Sequence, residues 1–179
     1  GDDGIHNGTA EVVEAIARGP TETRELWRFI LGLDLVARIS CSHLQVDHPL
    51  KWWLVEPRRL RLNLRDGLWL RIVDLVQALE ARTYAERGRV VFELSDPICS
   101  QNHGVWALEG STEGGRVSRT DEEPELGMGA SDLGAVYLGG TTLAELAGAA
   151  RIRELVSGAV ARFDSLFATP RMPWCPEIF

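Results

Sequence analysis

Two stretches of the chain carry residues whose types and spacing could do chemistry. One is the ending, MPWCPEIF, from Met172 to Phe179. C-terminal tails are usually polar and frayed, whereas this one is composed for burial, which draws attention to its free α-carboxylate. Such a group ionises with a pKa of about 3.3–3.7. At neutral pH it is ionised and can attract a cation or accept a proton. Pro173 and Pro176 restrict the backbone, and Trp174 and Ile178 can anchor the tail by burial, at about 2 kcal/mol each when fully covered. Glu177 adds a second negative charge, to be read either as facing a cationic ligand or as a solvated surface acid.

The other stretch is SDPICSQNHG, which holds Asp96, Cys99, Asn102 and His103. Its spacing matches no standard metal-ligand set, and Asp-Pro with Asn-His-Gly is turn chemistry, so it reads as a structural loop. Cys175 beside Trp174 reads as a small buried hydrophobe. His43 and His48 flank a strand end without an evident partner, and Trp52-Trp53 reads as core.

Composition narrows the classes. With 179 residues, the chain has room for one domain or slightly more. A net charge of −7 argues against a nucleic-acid surface and against an anionic membrane. Cys41, Cys99 and Cys175 are odd in number and far apart, which fits reduced thiols in a cytoplasm rather than a disulfide framework or a zinc site. No run of 18 apolar residues and no cleavable signal is present. The opening GDDGIHNG lacks an initiating methionine and reads as a fragment, a processed chain or a trimmed one.

Periodicity supplies the elements that must position these residues. TAEVVEAIAR, 9–18, is helix-like or mixed, and TETRELWRFILGLDLV is an amphipathic helix with Leu26, Trp27, Phe29, Ile30 and Leu33 recurring at helical spacing. ARISCSHLQV predicts a strand. Leu60, Leu62 and Leu64 alternate with polar residues as in a half-buried strand. After the Asp66-Gly67 turn, GLWLRIVD predicts another strand and LVQALEARTYAER a helix. RVVFELSDP, GVWALEG and GGRVSRT predict strands, with one more short strand after the acidic loop. From residue 131 the pattern turns helical, with Ser131, Thr141 or Thr142, and Ser157 as caps. Strands followed by helices indicate an α+β fold.

Three segments, in order, resemble a known family: RDGLWLRIVDLVQALEARTYAERGRVVFELSDPICSQNHGVWAL, YLGGTTLAELAGAARIRE and SLFATPRMPWCPEIF. They are similar to the C-terminal half of the Eis (enhanced intracellular survival) family of GNAT-type N-acetyltransferases. The specific part is Asp96, Pro97, Cys99, Asn102 and Gly104 in D-P-x-C-x-x-N-x-G, followed by a terminal P-W-C-x-x-x-F. The resemblance implies that residues 1–65 form the C-terminal part of a central GNAT-like domain. Residues 66–179 would form a sterol-carrier-protein-2-like domain, a mixed or antiparallel sheet covered by helices.

The resemblance further implies that the Phe179 main-chain carboxylate is the catalytic base, with an apolar plug as the bland alternative. It places Trp69, Asp74, Glu177 and Ile178 at the acceptor, where Trp69 could equally be core and Asp74 a helix N-cap. Acetyl-CoA would be bound by an N-terminal GNAT half, covalent or separate, because no R-x-x-G-x-G/A loop is present here. The chain alone is then expected not to turn over. The implied acceptors are aminoglycosides or lysine-type amines, and the implied assembly is a homo-oligomer, hexameric in the family. The implied location is cytoplasmic, with some members secreted. Two alternatives accompany this reading: a sterol-carrier-like module for an apolar ligand, and an oligomerisation platform without catalysis of its own.

Overall fold

The computed structural model describes residues 8–177, which divide into two compact units. Within the described residues, one unit holds 8–67 with 174–177, and the other runs from Leu68 to Pro173.

The first unit is a parallel crossover: β1 (Gly8–Val12), α1 (Pro20–Leu31) and β2 (Val36–Cys41). Thr9 pairs with Arg38 and Val12 with Cys41. α1 turns Trp27 and Ile30 inward onto Leu50 of the short helix α2 (Leu50–Trp53), and Val12, Ile39 and Trp53 pack around them. The helix stops at Gly32, whose N–H reaches back to Arg28 and Phe29. The helix-like reading of 9–18 is corrected here. β-branched Thr9 and Val12 extend to pair with β2, because tertiary pairing outweighs a weak local periodicity. The alternation at 60–64 also forms no strand. Pro57–Leu60 is a 3₁₀ turn, and Arg61 follows with φ +46. Leu62 and Leu64 stand exposed, because an alternating pattern makes a strand only where a ladder partner exists.

The second unit is a five-stranded mixed sheet in the order β5-β4-β3-β6-β7. Its strands are β3 (Gly88–Ser95), β4 (Gly104–Ser111), β5 (Gly114–Arg119), β6 (Leu126–Gly129) and β7 (Arg153–Glu154). β3 is antiparallel to β4 and parallel to β6. Val90, Phe92 and Leu94 of β3 share a face with Trp106 and Leu108 of β4 and with Leu126 and Met128 of β6. That face meets α3 (Leu75–Glu80), α4 (Ala130–Tyr137), α5 (Leu143–Gly148) and α6 (Ala159–Phe167). Phe163 stacks on Phe167 at 4.1 Å and meets Phe92 edge-on at 6.4 Å. The opposite face is charged, with Arg153 paired to Glu93 and Arg89 to Glu122. The α+β expectation holds.

Several local expectations change. GLWLRIVD is not a strand: 68–72 carry no ladder, and polar side chains fix this segment instead. α3 ends at Glu80 rather than running to Arg87. Tyr84 is then drawn into the core, with its N–H on the Ser111 carbonyl and its hydroxyl 2.6 Å from the Leu79 carbonyl. Ser131 and Ser157 are not the caps. Gly129 precedes α4, with its N–H on Asp132 Oδ2 at 3.0 Å, and Gly158 precedes α6 at φ +83. Thr142 does cap α5, in a reciprocal pair with Glu145. The two-residue β7 was not expected. No helix among the described residues is long and apolar enough to cross a membrane.

Candidate functional site

The predicted site residues fall into three groups. Phe179 and Ile178 lie outside the described residues. Glu177 is exposed, with its carbonyl accepting from the Cys175 thiol at 3.6 Å. Trp174 and Cys175 are half-buried, and a Cβ on Gly67 would stand 3.7 Å from Cys175 Cβ, so the tail lies close against Gly67, where the expected Asp66-Gly67 turn is replaced by irregular chain. Trp69 and Asp74 occupy one segment of the second unit, whereas Glu177 belongs to the first.

The segment that carries Trp69 and Asp74 is clasped by the D-P-x-C-x-x-N-x-G loop. Asp96 is 3% exposed and takes the N–H groups of Ile98 and Cys99 at 3.0 and 2.9 Å. It also pairs with the Arg71 guanidinium and receives the Asn102 amide at 3.2 Å. Asn102 in turn accepts from the Leu75 N–H at 3.2 Å and donates to the Val73 carbonyl at 3.2 Å. Gln101 donates to the same carbonyl at 3.1 Å. Burial works against ionisation of Asp96, but the Cys99 and Ile98 N–H groups, the Asn102 amide and Arg71 outweigh it and hold the carboxyl below its ordinary range. The loop is thus structural, as its turn chemistry indicated. Its role is to hold residues 71–75 in place.

On that clasped segment Trp69 is 85% exposed, so the core reading of this residue is overturned. Asp74 accepts from the Gln77 N–H at 2.9 Å and is the N-cap of α3. An exposed indole face offers a cation–π surface of the kind that receives ammonium groups. Arg71 was missed as a functional residue. Its partner Asp96 lies 25 positions away, a distance at which spacing carries no signal.

Acetyl-CoA, implied by the resemblance, has a natural place to be tested. A parallel crossover puts a helix N-terminus beyond the strand ends, where phosphates bind. At α1 the first helical residue is Pro20, which has no N–H to offer. The Glu22 carboxylate already folds back over the turn, with Oε2 only 2.6 Å from where a Gly19 Cβ would be. A negative charge at this turn disfavours a pyrophosphate there. For the alternative of an apolar ligand in the second unit, Phe163, Leu166 and Phe167 of α6 are taken up in the hydrophobic core. A groove of about 740 Å³ at the end of β3, β4 and β5 is lined by Glu80, Arg87, Arg89, Glu109, Glu113 and Arg116, a surface suited to polar groups.

Comparison with known proteins gives two family matches. Residues 75–176 match the sterol carrier protein domain, and residues 1–72 match the acetyltransferase (GNAT) domain. An uncharacterized N-acetyltransferase of Streptomyces avermitilis is 38% identical over 172 residues, 96% of this chain and 42% of the relative. N-acetyltransferase Eis of Mycobacterium tuberculosis is 39% identical over 145 residues, 80% of this chain and 35% of the relative. The crystal structure of Eis1 from Mycobacterium abscessus superposes with a TM-score of 0.82 at 33% identity, over 96% of this chain and 43% of that one. The chain spans about two fifths of the length of the curated relatives it matches. The expectation that placed the GNAT chemistry in a half outside this chain is corrected in part, since a GNAT segment lies at 1–72. By these matches the chain belongs to the sterol carrier protein domain family, with a GNAT segment ahead of that domain, and it is similar to the Eis-like N-acetyltransferases.

Proposed function

We propose that this chain works within an acetyl-CoA-dependent N-acetyltransferase of amines, with aminoglycosides or lysine-type side chains as acceptors. The observation that carries the reading is the 96% coverage by a 38% identical N-acetyltransferase. The Eis1 structure, at a TM-score of 0.82, supports it. Within that reading the chain's own groups act on the acceptor. The ionised Phe179 carboxylate holds the ammonium form close and takes its proton as the amine becomes nucleophilic. Glu177 adds to the negative field, and Ile178, Trp69 and Asp74 are assigned as acceptor contacts, with Trp69 offering a ring face to a cation.

The acyl donor is assigned to a second GNAT half, covalent or separate, a placement favoured by the acidic start of α1 at Glu22 and by the lack of an R-x-x-G-x-G/A loop in the sequence. A homo-oligomer, hexameric in the family, belongs to the same proposal.

The experiment is acetyl transfer from acetyl-CoA to an aminoglycoside and to a lysine peptide, by this chain with and without an added N-terminal GNAT half. Transfer is expected only with that half present, and transfer by the chain alone would overturn the placement of the donor. Deletion of Phe179, or amidation of its carboxylate by semisynthesis, should then lower the rate by about 10²–10⁴-fold with an unchanged circular dichroism spectrum. An unchanged rate would remove Phe179 from the mechanism. Displacement of a fluorescent fatty acid by this chain would instead favour the apolar-ligand reading.

A further inference from the structure

The turn Tyr137-Leu138-Gly139-Gly140 closes α4, and what lies against it accounts for its two glycines. Gly139 sits at φ +78, with its N–H on the Val136 carbonyl at 2.9 Å. A Cβ there would stand 2.5 Å from Thr169 Cγ2 and 2.6 Å from its hydroxyl. At Gly140 a Cβ would meet Pro173 Cγ at 2.7 Å and Cδ at 3.1 Å.

Thr169 and Pro173 belong to the segment that leaves α6. Between them the chain turns through a hydrogen bond from the Thr169 hydroxyl to the Arg171 carbonyl at 2.9 Å. From Ala168 to Glu177 the tail has no helix or strand of its own. Its path is therefore set by what it rests on. A proline ring has only its pucker to give, and Cδ, bonded to the main-chain nitrogen and 3.1 Å from that Cβ, is crowded as well, so a side chain at Gly140 presses on the main chain. Ordinary contact begins at 3.4 Å, so Pro173 Cγ would have to retreat by about 0.7 Å from its present 2.7 Å.

We propose that the Gly139-Gly140 turn is a seat that positions the C-terminal tail, setting the path by which the chain reaches its terminal carboxylate. The proposal rests on the reading of the Phe179 carboxylate as proton acceptor. Gly140 is a positioning residue: it acts through Pro173 and touches no reacting atom. A catalytic group must be held to within about 0.5 Å of its productive place, so a displacement of the size required is enough to matter.

The test is a double-mutant cycle of Gly140→Ala and Pro173→Ala, in which the second change removes the ring carbons that the first would strike. In the full chain, trypsin cleavage after the exposed Arg171 reports how firmly the tail is seated, read by mass spectrometry. Gly140→Ala should raise the cleavage rate about tenfold through easier local opening, and should have no further effect in the Pro173→Ala background. Pro173→Ala leaves α4 untouched and should itself loosen the tail, which keeps the test readable should Gly140→Ala fail to fold. Equal cleavage in all four proteins would overturn the seat.

With the added GNAT half present, Gly140→Ala should lower kcat about tenfold with the acetyl-CoA KM unchanged. It should cost nothing once Pro173 is alanine. Altered cleavage with an unaltered kcat would overturn the positioning role. The expected cleavage pattern across the cycle, with a wild-type protein that transfers no acetyl group even in the presence of the GNAT half, would leave the seat standing and reject the acetyltransferase reading instead.

Discussion

Asp164 of α6 caps Leu143 of α5: its Oδ1 lies 2.6 Å from the Leu143 N–H, and its Oδ2 takes the Ala144 N–H at 2.9 Å. α5 has six residues, too few to hold a helix in isolation. Its N-terminal N–H groups are satisfied by this carboxylate together with Thr142. Asp164→Ala should therefore lower the stability of the second unit by about 1–2 kcal/mol in urea unfolding. Asp164→Asn should lose less, because one acceptor oxygen remains. Equal losses for the two variants would mean that packing around residue 164, rather than capping, sets the effect.

The Asp96 clasp carries a larger share. Asp96→Ala leaves the Cys99 and Ile98 N–H groups, the Asn102 amide and Arg71 without their acceptor, and should cost about 3–4 kcal/mol in the urea midpoint at neutral pH. The acid limb gives an independent reading. The folded carboxyl titrates below its ordinary value of 3.8, so the unfolded chain binds more protons as the pH falls past that value. The stability contributed by Asp96 is complete above 3.8 and is lost as the pH drops through the folded pKa. Asp96→Asn should flatten this part of the stability curve, and an unchanged slope would show that other groups drive acid unfolding.

His48 makes the opposite use of burial. At 8% exposure it sits edge-on to Trp27 at 5.3 Å and to Trp53 at 6.0 Å, with Nδ1 accepting the Leu50 N–H at 3.1 Å. Burial lowers its pKa from 6.5, with Asp47 pulling weakly the other way. The neutral ring is the folded form, so the unfolded chain takes up the proton first as the pH falls below 6.5. Stability should be full above that pH and should decline as the pH drops toward the folded pKa. A proton NMR titration of the His48 ring should give a midpoint below 6.5, and His48→Gln should remove the matching slope in urea midpoints. A midpoint at or above 6.5 would contradict the buried placement.

Phe163 is the centre of the larger core, stacked on Phe167 and edge-on to Phe92. Phe163→Ala should cost about 3–5 kcal/mol by thermal or urea unfolding, through lost burial and the cavity left behind. Phe163→Leu should cost clearly less. A loss below 1 kcal/mol for Phe163→Ala, small beside the range expected for a buried ring, would indicate that the core collapses onto the gap.

What could be read in advance follows the range of the interactions. The α1 helix was legible because it buries one face of its own residues, and the RVVFELSDP strand because its apolar run is taken up in the core. Thr142 was legible as a cap because its partner Glu145 lies three positions on. Leu60, Leu62 and Leu64 misled, since alternation describes a strand's faces and says nothing of whether a neighbour exists to pair with it. The clasp from Arg71 to Asp96 and the cap from Asp164 to Leu143 join residues 25 and 21 positions apart, and only the fold brings them together. Within the candidate site, the tail's composition indicated the need for an anchor. That Gly140 lies against Pro173 could not be inferred from either residue alone.

The parallel pair β1 and β2 has a further consequence for the behaviour of the protein in solution. Among the described residues each strand pairs only with the other, so each presents an outer row of backbone N–H and carbonyl groups. Such rows are templates for intermolecular pairing. At high concentration these rows give this chain a route to self-association, as do the outer rows of β5 and β7 in the larger sheet. A preparation for crystallography or NMR would then gain from a charged residue or a proline on the outer edge of β1.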